Sequence, residues 1–100
     1  MSEFFINRLD TAHALIDEGQ YDQAIELIQN LDTRIHDNEL LIKLNQHKQE
    51  TEKEYQTRYH SISMKSGDPY QSFIDVQGLK KWRSQEYLKF YDNMLREHDI

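Results

Sequence analysis

Histidine and carboxylate side chains are the groups in this sequence whose chemistry suits metal binding or proton transfer. The histidines are His13, His36, His47, His60 and His98. None of them falls in the H-E-x-x-H spacing of a zinc site on a helix. Only His47 and Glu50, three residues apart, would share a helix face, and a carboxylate-bridged di-iron bundle needs such a pair on two helices plus further carboxylates. The sequence therefore predicts no metal site.

Nucleophilic and phosphate-binding chemistry also lacks its usual residues. The chain has no cysteine, which excludes a thiolate nucleophile, a disulfide framework and a cysteine zinc site. Its three glycines, Gly19, Gly67 and Gly78, stand far apart, so there is no glycine-rich phosphate loop and no nucleophile elbow. No pair of carboxylates is marked out by its surroundings. We therefore expect a protein that is not an enzyme and has no cofactor.

A basic and aromatic stretch, "LKKWRSQEYLKFY" at 79–91, is the most suggestive binding segment. Its basic members are Lys80, Lys81, Arg83 and Lys89. Interleaved with aromatic rings, they could neutralise phosphates while the rings stack on bases, or lie on an anionic membrane surface. A simpler interpretation puts Trp82, Leu88 and Tyr91 in the core, with the lysines on the solvated edge. In a third, the basic helix docks on the acidic first part of the chain, within one chain or across a dimer.

Acidic charge is concentrated near the start of the chain. The net charge is −6, and residues 1–42 carry nine acidic side chains against two arginines. Such a segment disfavours nucleic acid, because like charges would have to be brought together without counterion release. The candidate acidic face consists of Asp10, Asp17, Asp22 and Glu26. It could mimic nucleic acid and block a basic partner protein, or it could be a solvated surface.

Apolar residues recur at helical spacing in the first third of the chain, which predicts two helices. The first stripe is Phe5, Leu9, Ala12 and Ile16, and the second is Tyr21, Ala24, Ile28, Leu31 and Ile35. Gly19 stands where a left-handed residue would end the first helix. A short turn at Gly19 and Gln20 would make the two helices antiparallel.

A long third helix should follow, with Asp37 or Asn38 as its cap. It would contain about 25 residues, roughly 37 Å. Residues 45–54 contain no apolar side chain, so this middle part would bridge solvent or pack only through aliphatic stems. The polar middle argues against a coiled-coil dimer through this stretch.

"SGDP" at 66–69 is the clearest break in the chain, and it predicts that a helix begins at Pro69. This first piece would be short, since Gly78 would bend or end it. A last, aromatic helix would then run from Leu79 to about Glu97.

The opening hairpin resembles the inner part of a tetratricopeptide repeat. There a glycine closes the first helix, an aromatic residue opens the second and an alanine follows, as Gly19, Tyr21 and Ala24 do here. Arg8 replaces the usual aromatic residue of the first helix, and His36 stands where the repeat has a proline. The match covers residues 9–35 once, whereas repeat proteins need about three units. The resemblance therefore implies a repeat-like hairpin and not a repeat protein.

A weaker resemblance is to the small helical export chaperones of flagellar and other type III secretion systems. These proteins have a similar length, a short hairpin, a long polar helix and a C-terminal helix that folds back over the partner site. The "DEGQYD" turn at 17–22 is similar to theirs. The resemblance implies a chaperone or regulator that acts by binding protein.

Together these features predict a single all-α domain over residues 1–100. It would comprise a three-helix unit at 1–62, a turn at 63–68 and a C-terminal helical segment at 69–100 that packs back as a small bundle. We expect a non-catalytic adaptor, chaperone or regulator that binds a protein partner through a helical groove. The alternatives are an acidic inhibitor and a nucleic-acid binder acting through residues 79–91.

The expected contact residues are exposed aromatic side chains and one methionine, because these types are enriched at interfaces. They are Tyr55, Tyr59, Trp82, Tyr87 and Met94. With only 37% hydrophobic residues, the core is thin, which favours a homodimer or an obligate partner complex. No signal peptide and no membrane span are expected, which points to the cytoplasm.

Overall fold

The fold is all-α and was obtained as a computed structural model that describes residues 1–65 and 67–100. Its elements are α1 (Glu3–Asp17), α2 (Tyr21–Gln29), a short 3-10 helix (Asn30–Arg34), α3 (Asn38–Met64) and α4 (Pro69–Glu97). No strand occurs in these two ranges. The predicted fold class, a helical hairpin with a long third helix and a C-terminal segment that packs back, is confirmed. The predicted turn at 63–68 includes Ser66, which lies outside the described residues.

Gly19 closes α1 as the sequence predicts. Its φ of 80° lies in the left-handed region, which favours glycine because a Cβ atom would crowd the backbone. The N–H of Gln20 donates to the carbonyl of Leu15 at 2.8 Å, and the N–H of Gly19 donates to that of Ile16 at 3.0 Å. This pair of bonds is a Schellman motif, which satisfies the last carbonyls of α1 and turns the chain into α2.

The second helix is shorter than its apolar stripe suggests. α-Helical geometry ends at Gln29, and residues 30–34 continue as a 3-10 helix. Leu31 and Ile35 are buried as expected, although Ile35 already has extended backbone angles. The segment between them contains Asp32 and Thr33, whose side chains compete for backbone hydrogen bonds and disfavour a helix interior. The Thr33 hydroxyl donates to the carbonyl of Asn30 at 2.9 Å.

Aspartate caps start both long helices. The Asp37 carboxylate accepts from the N–H of Leu40 at 3.2 Å, and that of Asp68 accepts from the N–H of Tyr70 at 2.9 Å. Pro69 is the first residue of α4, where its missing N–H costs nothing. These starts are the ones that the sequence predicts.

α4 is one continuous helix through Gly78, so the prediction of a short helix that ends there is wrong. A glycine inside a helix costs about 1 kcal/mol relative to alanine. The burial of the adjacent Leu79, in a helix that packs along α3, offsets this cost. Tertiary packing therefore overrides the local preference.

The core lies between the α1–α2 hairpin and the part of the α3–α4 pair that the hairpin covers. Its largest fully buried side chains are Tyr87, Tyr91, Ile28, Leu31, Leu40, Leu44 and Leu95. α4 contacts both α1 and α2, so the C-terminal helix docks on the hairpin within the same chain. This is one of the arrangements that the charge distribution left open.

The polar middle of α3 packs against its neighbours and does not bridge solvent. Thr51 is buried, and the His47 ring stacks on Phe90 with 3.8 Å between centroids. Lys48 pairs with Asp32, and Glu52 pairs with Arg83. Charged groups with partners on the 3-10 helix and on α4 thus take the place of the apolar residues that this stretch lacks.

Candidate protein-binding surface

The two long helices extend beyond the α1–α2 hairpin. The α1–α2 turn, residues 19–23, lines a small cavity together with Gln77 and Lys80 of α4, which fixes how far the hairpin reaches. α1 has 15 residues and α4 has 29, which correspond to about 22 Å and 43 Å. The part of the pair at and beyond this level, residues 55–64 and 69–76, is called the distal hairpin below.

Most of the exposed large apolar side chains in the described ranges lie on the distal hairpin. They are Tyr59, Met64, Tyr70, Phe73 and Ile74, while only Ile6 and Ile42 lie elsewhere. The exposed fractions of Tyr59, Tyr70 and Phe73 are 43%, 70% and 61%. Tyr70, Phe73 and Ile74 follow the spacing i, i+3, i+4, so they share one side of α4. These three residues and Tyr59 form the distal apolar surface.

This surface continues a face that is buried in the rest of the molecule. One stripe of α4, spaced by four and three residues, consists of Phe73, Gln77, Lys80, Ser84, Tyr87 and Tyr91. Ser84, Tyr87 and Tyr91 are buried where α2 packs on α4. Phe73 begins the same stripe but lies beyond the end of α2. Phe73 therefore lies on the side of α4 that is buried further along the helix, but α2 does not cover it.

Arg83 fixes the base of the distal hairpin. Its guanidinium lies over the Tyr55 ring, 3.9 Å from the centroid, and pairs with Glu52 at 3.3 Å and Asp22 at 3.4 Å. These contacts join α2, α3 and α4 at one point, and the Arg83 side chain is only 15% exposed. Tyr59 lies one turn beyond Tyr55, on the face of α3 that continues past this cluster.

Two buried tyrosines extend the polar contacts into the core. The Tyr87 hydroxyl donates to Glu52 at 2.7 Å, and the Tyr91 hydroxyl donates to Asp32 at 2.8 Å. Burial raises the pKa of both hydroxyls, and the hydrogen bond to a carboxylate raises each pKa further. Both groups are therefore fixed donors at neutral pH, which suits a structural role.

The predicted contact residues fall into two groups. Tyr59 is exposed, and Trp82 is half-buried beneath the Arg58 guanidinium, 4.3 Å from the ring centroid. Tyr55, Tyr87 and Met94 are buried, so the expectation that they are exposed is wrong. They lie on the sides of α3 and α4 that pack against neighbouring helices.

Sequence reasoning missed Tyr70, Phe73 and Ile74. Their spacing marks an apolar helix face but does not say whether anything covers it. Helix lengths carry a signal that was available, because a first helix of about 15 residues cannot cover a predicted third helix of about 25 residues along its whole length. Comparing the lengths would have located the uncovered end.

The proposed acidic face is divided in the structure. Asp10, Asp17, Asp22 and Glu26 are all exposed, but Asp22 faces Arg83 near the α1–α2 turn. Asp10 and Asp17 instead line a groove of about 460 Å³ between α1 and α4. Basic side chains, Lys89 and Arg96, line the opposite wall. The groove therefore has mixed charge.

The basic and aromatic stretch 79–91 does not present one continuous face. Arg83 points inward to its acidic partners, and Tyr87 and Tyr91 are buried. Lys81 and Lys89 are exposed, while Lys80 is half-buried near the α1–α2 turn. The interpretation that fits these positions is the docking of this helix on the acidic hairpin of its own chain.

Histidine positions give no metal cluster in the part of the chain that the structure describes. No group of three or more histidine, aspartate and glutamate side chains there could hold an ion. Burial lowers the pKa of His47, partly opposed by the charges of Glu86 and Glu50. Among the described helices, none is both long and apolar enough to cross a membrane.

Comparisons of the chain with protein-family models, with curated proteins and with solved structures gave no match. The resemblances to a tetratricopeptide hairpin and to export chaperones therefore stay predictions.

Proposed function

We propose that this protein is a small, non-catalytic adaptor, chaperone or regulator that binds a protein partner through the distal apolar surface. The observation that carries the proposal is the exposure of four large apolar side chains at one end of the molecule, which are Tyr59, Tyr70, Phe73 and Ile74. At the exposures given above, the three aromatic rings alone leave on the order of 350 Å² in contact with water. Exposed apolar surface of this extent is comparable with the largest apolar patch on a typical soluble monomer, and such patches are often functional.

The charge around this surface favours an apolar contact over an electrostatic one. Residues 55–76 carry two basic side chains, Arg58 and Lys65, and two acidic ones, Asp68 and Asp75. The segment therefore has no net charge, and all of the chain's charge of −6 lies elsewhere. Binding through the distal apolar surface should consequently depend little on salt concentration.

A pull-down from the host of this protein tests the proposal, with the bound material identified at low and at high salt. We expect the wild-type chain to retain a stoichiometric protein at high salt. Phe73→Asp should lose it, because a carboxylate would be buried in an apolar contact. Ile42→Asp is the matched control, since Ile42 is exposed to a similar degree but lies near the other end of α3. Equal retention by Phe73→Asp would contradict the proposal.

The acidic-inhibitor alternative is supported by the exposure of Asp10 and Asp17 beside the α1–α4 groove. It predicts a basic protein that is lost at high salt and on Asp10→Asn with Asp17→Asn, and that Phe73→Asp retains. The same pull-down therefore separates the two. We do not propose nucleic-acid binding through residues 79–91, because the residues that would form that surface point in different directions.

A further inference from the structure

We infer that the protein covering the distal apolar surface is a second copy of this chain, in a two-fold dimer whose distal hairpins pack side by side and antiparallel. This inference rests on the proposed use of that surface for protein binding. It adds the identity of the partner and the geometry of the contact.

The first argument is the shape of the molecule. Over most of its length, the α3–α4 pair is covered by the α1–α2 hairpin as a second layer, but over the distal hairpin the same side is bare. The step occurs at the α1–α2 turn, beside Gln77 and Lys80. A second distal hairpin, laid antiparallel, would supply the missing layer and would have its own bare side covered in the same contact. Such a self-complementary contact closes with two-fold symmetry and produces a four-helix bundle at its centre.

The second argument is the position of the missing layer on α4. Phe73 stands seven residues before Lys80 and eleven before Ser84, on the stripe that α2 buries further along. Tyr70 and Ile74 flank it on the side that faces α1 in the body of the molecule. The natural cover for these residues is therefore a pair of helices in the orientation of the α1–α2 hairpin. The distal hairpin of another copy is such a pair, with its own apolar side.

Charge is the third argument. The distal hairpin is neutral, whereas the rest of the chain carries a net charge of −6. Two copies that met through their α1–α2 hairpins would bring acidic surfaces together, which costs free energy, because residues 1–42 carry nine acidic side chains against two arginines. A contact through the distal hairpins instead places the two acidic α1–α2 hairpins at opposite ends of the dimer. The same neutrality disfavours an anionic membrane or nucleic acid, since such partners are recognised by clusters of lysine and arginine.

The area is consistent with a reversible dimer. A standard interface buries about 800 Å² on each partner, of which a little more than half is apolar. The roughly 350 Å² of exposed aromatic surface, with Ile74, supplies the apolar part. Neighbouring polar side chains such as Gln56, Ser63 and Gln77 would form the rim. Because buried area does not fix affinity, association is measured over a concentration range of roughly 1 to 500 μM.

Sedimentation equilibrium on the full chain, over this range, tests the inference. We expect the mass of the wild-type chain to rise from 12.1 kDa to twice that value, with little effect of salt. Tyr59→Asp and Phe73→Asp should stay monomeric throughout with an unchanged circular dichroism spectrum, because both side chains are exposed in the single chain. Ile42→Asp should dimerise as the wild-type chain does.

Small-angle scattering then reports the geometry. A single chain is 47 Å long, so two copies that overlap over about 15 Å at their distal hairpins should span roughly 80 Å. A dimer whose bodies lie side by side would stay close to the length of one chain and would overturn the antiparallel arrangement.

The outcomes also separate this inference from the proposed function. A wild-type chain that is monomeric at 500 μM, yet loses a captured host protein on Phe73→Asp, overturns the second copy and leaves the binding surface intact. A dimer that survives both Tyr59→Asp and Phe73→Asp overturns the inference as well. A monomer whose capture of host protein is also unaffected by Phe73→Asp overturns both proposals.

Discussion

Replacement of Gly78 by alanine should stabilise this protein, although glycine in a helix often signals a close contact. Gly78 lies within α4, between Pro69 and Glu97, with a backbone that alanine adopts readily. A Cβ atom built on Gly78 meets no atom within 4 Å in the described part of the chain outside its own stretch of helix. Nothing among the described residues therefore requires a glycine at this position.

The expected gain follows from helix propensity. Alanine is more favourable than glycine inside a helix by about 0.8–1.0 kcal/mol, chiefly because the unfolded chain loses conformational freedom. In a domain of 100 residues, a gain of this size raises Tm by roughly 3–8 °C. We therefore expect Gly78→Ala to increase the free energy of unfolding by about 0.8 kcal/mol.

Urea denaturation followed by circular dichroism at one low protein concentration measures this change, since self-association would otherwise add to the apparent stability. The midpoint should rise while the m-value stays the same. Gly19→Ala is the matched control, because its φ of 80° strains an alanine by about 1–2 kcal/mol. A Gly78→Ala variant that is equal to the wild-type chain or less stable would refute the reasoning, and would mean that α4 bends at Gly78 or that its Cβ meets a neighbour.

Three further predictions concern the buried polar contacts. Arg83→Met should lower the free energy of unfolding by about 2 kcal/mol, because Glu52 loses a charged partner; a loss below about 0.5 kcal/mol in urea denaturation would contradict this role. The raised pKa values of Tyr87 and Tyr91 mean that their stabilisation is complete below about pH 10 and is lost above it, as the unfolded tyrosines ionise. Absorbance titration of the folded protein should show Tyr87 and Tyr91 still neutral at about pH 11, and Tyr91→Phe should reduce by one the number of tyrosines that resist ionisation at that pH. Burial lowers the pKa of His47 in the folded chain, so the free energy of unfolding should fall as the pH drops below about 6.5. His47→Leu should reduce that fall in urea denaturation at acidic pH.

Local sequence signals were sufficient for the ends of most helices. Gly19, Asp37 and Pro69 each act through neighbours in the chain, so their roles could be predicted without knowing the tertiary structure. Gly78 could not be interpreted in this way. Whether a glycine ends a helix depends on the packing of the residues around it, and that information lies in α3.

The binding surface depends on tertiary structure still more strongly. Tyr87 and Phe73 are aromatic residues on the same stripe of α4, yet one is 1% exposed and the other 61%. Periodicity identifies both as members of an apolar face, but only the reach of α2 decides which of them is covered. The polar middle of α3 was misread for a related reason, because the acidic and basic partners of Lys48 and Glu52 are distant in sequence.

The lack of a covering layer over the distal hairpin should also affect local unfolding of the molecule in solution. The two helices of the distal hairpin lack the second layer that secures the rest of the bundle, so amide protons there should exchange with solvent at lower local free energies than those near Tyr87 and Tyr91. Protection along α4 should then increase from its beginning toward its middle. A partner that covers Phe73 would slow the exchange of these first turns and so be detected as a change in local opening, even if the helices did not move.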